Sequence, residues 1–99
     1  MKPRYMILNG GCPAIHKLGD IRRDEDDLIY VKSETADLFI GNFVEGFGFM
    51  DVEFRKCDCR PLNPSEIEKL NNSVIRLGAI RYKMRVDSEG YPMEDKERT

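Results

Sequence analysis

Cys12, Cys57, Cys59 and His16 are all the thiols and imidazoles in this 99-residue chain. Three thiolates and one imidazole are a donor set that tetrahedral Zn²⁺ accepts. Cys12 and His16 are close in the run CPAIH, and Cys57 and Cys59 flank one aspartate. On an extended strand, Cys57 and Cys59 point to the same side. The set is complete, with nothing left over. Against it, C-x-C is not the usual C-x₂-C knuckle of structural zinc sites. The plain alternative is three reduced cysteines and a surface histidine. Zinc is therefore an alternative expectation, and the leading one is that there is no cofactor. A Cys12–His16 nucleophile pair would need a turn through Pro13 and a shaped pocket. No Ser-His-Asp order, Walker A, dinucleotide-binding or HExxH pattern is present. The sequence points to a chain that is not an enzyme.

Arg76, Arg81, Lys83 and Arg85 form a second group that could do chemistry. On one strand, Arg81, Lys83 and Arg85 share a face. With Tyr30, Phe47 or Tyr82 to stack on a base, such a stripe suits a nucleotide-like anion. The plain reading is cross-strand pairing with Asp51 and Glu53. Asn9-Gly10-Gly11 offers backbone N–H groups to an anion. Asp24-Glu25-Asp26-Asp27 lacks the alternate spacing and closing glutamate of a calcium loop, and reads as a solvated acidic turn. The net charge of −2 and pI of about 5.4 argue against a dedicated nucleic-acid binder.

The element that must organise these groups is LFIGNFVEGFGFMDVEFR, residues 38–55, which holds all five phenylalanines. In Met50-Asp51-Val52-Glu53-Phe54-Arg55, apolar and charged residues alternate at every step, as in a half-buried strand. Leu38-Phe39-Ile40 supplies the partner strand, and Gly46 and Gly48 place the turn around Phe47. Gly41-Asn42 reads as a turn or a bulge. The plain reading puts these phenylalanines in a small core. The functional reading puts Phe43, Phe47 and Phe49 on a partner-binding surface.

Before the hairpin, residues 4–8 and 28–32 read as strands. Asn9-Gly10-Gly11 ends the first strand, 12–18 form a loop, and 19–21 enter a short strand. After the hairpin, Asn63-Pro64 with Glu66 is a helix start. Ile67, Leu70, Val74 and Leu77 then lie on one helical face, so one helix is expected near 64–77. Residues 79–87 return to period two as a last strand. Residues 88–99 are polar and expected to be a disordered tail, so the domain is 1–87.

At Gly19-Asp20, Tyr30-Val31 and the run GNFVEGFGF the chain resembles SH3-like small β-barrels. The same run with its trailing helix looks like small uncharacterised proteins of bacteria and their phages. The resemblance covers roughly residues 19–77. It implies a binding module and carries no catalytic residue with it. The expected fold is therefore α+β and β-rich, either a strongly bent antiparallel sheet or an SH3-like barrel of about six short strands.

With 34% charged residues, the chain is expected to be globular. No signal peptide or membrane-length apolar run is read in it. The odd cysteine count suits a reducing cytoplasm. The leading functional expectation is a regulator or inhibitor, of the kind phages and mobile elements encode, that docks on a protein partner. The alternatives are a module that sequesters a nucleotide-like small ligand through the basic stripe, or a zinc-stabilised domain. Nucleic acid and membrane are not expected partners, and a homo-oligomer is compatible with these readings.

Overall fold

Alternation of apolar and polar residues builds most of this molecule. A computed structural model describes residues 2–44, 51–72, 74–77, 80–83 and 85–93, with the backbone alone at 74–77 and 80–83. Nine strands and one helix follow in order: β1 Arg4–Leu8, β2 Pro13–Ile15, β3 Ile21–Arg22, β4 Asp27–Glu34, β5 Leu38–Phe43, β6 Val52–Arg55, β7 Cys59–Arg60, α1 Pro64–Asn71, β8 Val74–Leu77 and β9 Ile80–Lys83. The first seven strands form one antiparallel sheet in the order β3-β2-β6-β5-β4-β1-β7. The sheet is not closed, so the architecture is the bent α+β sheet and not a complete barrel.

The curl of the sheet follows from chain length. β1 and β2 are separated by β4, β5 and β6. In a flat sheet that is about 19 Å, four inter-strand spacings. The five steps from Leu8 to Pro13 reach at most about 18 Å when fully stretched. They are not stretched: Cys12 N–H closes a turn onto Asn9 C=O at 3.2 Å. The sheet must therefore bend until this connection crosses its open side.

Bending wraps the sheet around its own inner face. Met6, Leu8, Ala14, Ile29, Val31, Phe43, Val52 and Phe54 form the main core there, with Phe43 and Phe54 edge-to-face at 5.6 Å. Gly41 faces Val31 just before the register shift between Val31 and Ser33. Any side chain at 41 would run into the Tyr30 carbonyl, so glycine lets the strands close at this bulge. The bulge lies in β4, and Gly41-Asn42 continue β5 without turning.

A second, smaller core lies on the outer face over β1 and β4. There Ile7 packs with Leu62, Leu70 and Val86, with Tyr5, Leu28 and Ile67 at its margin. α1 starts as expected: the Asn63 side chain accepts from Glu66 N–H at 2.8 Å, and Glu66 accepts from Asn63 N–H at 2.9 Å. It stops at Asn71, six residues short of the expected end. The Asn71 amide turns to the backbone of Val86, accepting its N–H at 2.7 Å. Residues 74–77 instead pair with 80–83 as a separate hairpin.

The expectation of a tail from residue 88 is corrected as far as residue 93. Gly90, at φ +89°, is buried and its carbonyl accepts Tyr5 N–H at 2.8 Å. The Asp87 carboxylate accepts the N–H groups of Glu89 and Tyr91, which hold it below the usual carboxylate range. Among the described residues no helix is long and apolar enough to cross a membrane.

Candidate functional site

Two places on this fold collect residues that could act. One is the seam where the 9–12 connection crosses the open side of the sheet. The other is the part of the outer face that α1 leaves uncovered.

At the seam, Asn9 N–H donates to Asp58 C=O at 2.9 Å. This brings the turn that ends at Cys12 against the single 3-10 turn Lys56–Asp58. The Asp58 carboxylate accepts from the Cys57 thiol at 3.7 Å and also from the Cys12 thiol. Cys59 follows in β7, opposite Leu8, and its thiol donates to Arg55 C=O at 3.4 Å. Burial and the neighbouring Asp58 push the Cys12 thiol up, and the same causes push Cys59 up to about 12. Cys57 is exposed, whereas Cys12 and Cys59 are half-buried.

The structure therefore brings the three cysteines to one end of the sheet but separates His16 from them. Cys12 and His16 flank β2, and four extended steps place their Cα atoms about 13 Å apart. His16 Nδ1 instead accepts from Leu18 N–H at 3.2 Å. The expectation that CPAIH folds two ligands onto one ion is corrected by that strand. Among the described residues, no three Cys, His, Asp or Glu side chains are grouped to enclose a metal ion.

The glycine turn and the acidic run meet close by, and neither is free. Gly10 N–H donates to Asp26 at 2.7 Å, and Gly11 N–H donates to Arg23 C=O at 2.7 Å. These amides are therefore taken up within the chain and are not offered to an anion. Arg60 grips Glu66 with both arms, at 2.7 and 2.9 Å, and reaches Asp26 at 3.2 Å. The Gly10 amide and then Arg60 hold Asp26 below the usual carboxylate range, and Arg60 does the same for Glu66. The run expected to be a solvated turn is thus a clamp joining β1, β7 and α1.

On the outer face, Leu38, Ile40 and Asn42 alternate with the inward Phe39, Gly41 and Phe43. Ile40 pairs with Glu53, which pairs with Ile15, while Leu38 pairs with Arg55. Ile15, Leu38 and Ile40 are half-buried and belong to neither packed core. They form an apolar strip beside Glu53 and Arg55. Alternation within 38–43 carried this signal, but the phenylalanines drew attention to the opposite, inner set.

Phe43 is 1% exposed in the main core, so it is corrected from a partner-binding residue to a packing residue. Phe47 and Phe49 lie outside the described residues, in the β5–β6 connection. Tyr30 is half-buried in β4, its ring 4.9 Å from that of Tyr5. Arg76 and Arg81 stand opposite each other in the β8–β9 hairpin, with Lys83 two residues along. Arg85 follows, exposed, after that hairpin. The basic stripe and Tyr30 thus belong to different sheets. Asp51 pairs with Lys32 in place of the last strand.

A groove of about 440 Å³, lined by Pro64, Ile67, Glu68, Asn71, Asn72 and Ser88, gathers none of these candidates. No family model, curated protein or solved structure matches the chain, so its reading rests on its own geometry.

Proposed function

We propose that this chain is a small non-enzymatic binding module that regulates or inhibits a protein partner by docking on it. The docking surface is the outer face of β2, β6 and β5, continued by the connection that carries Phe47 and Phe49. The observation that carries this reading is the strip of Ile15, Leu38 and Ile40. These three residues sit half-buried beside one another while the rest of the outer face is covered by α1 and residues 85–92. Half-covered aliphatic side chains rimmed by Glu53 and Arg55 match the apolar centre and polar rim of a protein interface. Aromatic residues in the adjoining connection are the residue type that dominates such interfaces energetically.

The test is photocross-linking in cells, with a photoreactive amino acid at position 42 on the same face. One partner protein is expected to cross-link. Ile40→Lys removes that product, and Met93→Lys, at another exposed apolar residue, leaves it. Cross-linking that survives Ile40→Lys would overturn this reading.

A second reading is favoured by the β8–β9 hairpin. Arg76 directly opposite Arg81 is a like-charge cross-strand pair, which costs stability unless an anion lies between. With Lys83 and Arg85 this suits sequestration of a nucleotide-like small ligand. A native mass spectrum of protein purified without additives then carries a nucleotide-sized excess that Arg81→Ala loses. A bare chain in both samples rejects it.

A further inference from the structure

The seam carries chemistry that the docking reading does not use. Residues 12 and 57 lie 45 positions apart, yet their thiols share one hydrogen-bond acceptor, the Asp58 carboxylate. The Asn9–Asp58 backbone hydrogen bond holds the two segments together beneath them. Cys59 is the odd thiol out, because it is turned to its own Arg55 carbonyl. A metal ion needs three or four donors around one point, and this seam does not present them among the described residues. A disulfide needs only two.

We propose that Cys12 and Cys57 are a redox latch, closing as a reversible disulfide across the open side of the sheet. The co-reactant is a low-molecular-weight disulfide. Exposed Cys57 attacks first: its S–H bond breaks, a mixed disulfide forms, and one small thiol leaves with a proton. Half-buried Cys12 then attacks the Cys57 sulfur, giving up its own proton and releasing the second small thiol. Two S–H bonds and one small disulfide are consumed, and one protein disulfide and two small thiols are formed.

In the reduced state Asp58 acts as the catch. By accepting from both thiols it favours their protonated forms, and only thiolates attack. The latch therefore stays open until oxidant is abundant. Its closure ties the 9–12 connection to the Lys56–Asp58 turn, and so fastens the two ends of a sheet that hydrogen bonds leave unclosed. This inference is independent of what the outer face binds.

The test treats the full chain with oxidised glutathione at neutral pH, alkylates the remaining thiols and maps peptides without reduction. The expected product is one intramolecular link between the Cys12 and Cys57 peptides, about 2 Da lighter than the reduced chain, with Cys59 alkylated. Cys59→Ser keeps the link, and a small thiol reopens it. A glutathione adduct that persists on Cys57 with Cys12 alkylated overturns the proposal. So does a link through Cys59. Asp58→Asn is expected to speed closure about threefold for each unit by which it lowers the attacking thiol's pKa, since the gain in thiolate outweighs the loss in nucleophilicity. An unchanged rate overturns the role given to Asp58. Because the unmutated chain is mapped first, a variant that fails to fold leaves the result intact.

Discussion

The two faces of β5 and β6 have opposite fates. Inward, Phe43, Val52 and Phe54 are each 1% exposed or less and meet residues from four other strands or their flanks. Outward, Leu38, Ile40 and their neighbour Ile15 remain half-exposed over the same backbone. The strands impose the alternation, and the curl of the sheet decides which set is enclosed. Alternation therefore says that two faces differ. Only the topology says which face is core and which is left to meet something else.

The sharpest way to break this contrast is at its buried side. Phe54→Ala removes a ring with no exposure, packed edge-to-face on Phe43. It is expected to cost about 3–5 kcal/mol, the range for truncating a core aromatic. For a domain of this size that is most of the stability. Urea unfolding should show a much lower midpoint, and a midpoint close to the parent would mean that the inner face is not the core.

The inner face was also the part most legible beforehand. Val52 and Phe54 stood out through strict alternation, and Asn63-Pro64 with Glu66 announced the helix start. The helix end was hidden because Ile67, Leu70, Val74 and Leu77 keep helical spacing across the break. A contact distant in sequence, Asn71 to Val86, takes the chain out of the helix. The Cys12–Cys57 pair was half visible, as a complete set of soft ligands. Its partner residue was not: Asp58 becomes informative only once the 9–12 turn is laid against it. His16 was misplaced because CPAIH is an extended strand, and residues close in sequence are then far apart. The Asp26–Arg60–Glu66 clamp joins three segments that no local pattern connects.

That clamp gives an intermediate effect, and it sharpens the comparison by testing what holds the outer layer on. Asp26 and Glu66 have folded-state pKa values below their ordinary ones. A depressed carboxylate adds stability that is complete above its unfolded pKa, near 4, and is lost as pH falls through the folded value. Thermal midpoints should therefore be flat from about pH 7 to 5 and fall below about pH 4. Arg60→Ala should lower the neutral plateau and flatten that acid limb, because both carboxylates lose the guanidinium. An acid limb of unchanged steepness would show that the clamp is not its source.

Ile40→Lys should have the smallest effect on folding and the largest on the proposed docking. Ile40 is half-buried, so losing its apolar surface costs a fraction of the roughly 1.5–3 kcal/mol of full burial. The new ammonium faces Glu53 across the β5–β6 register, and such an opposite-charge pair returns about 0.2–1 kcal/mol. The net change in unfolding free energy is expected to stay within about 1 kcal/mol. A protein interface, by contrast, loses most where a charge is buried without a partner at its apolar centre. The variant should therefore melt almost as the parent does while losing its cross-linked product. A large drop in stability would instead show that Ile40 is packed against part of its own chain. The strip would then be a third core, and the outer face of β5 would have the same fate as the inner one.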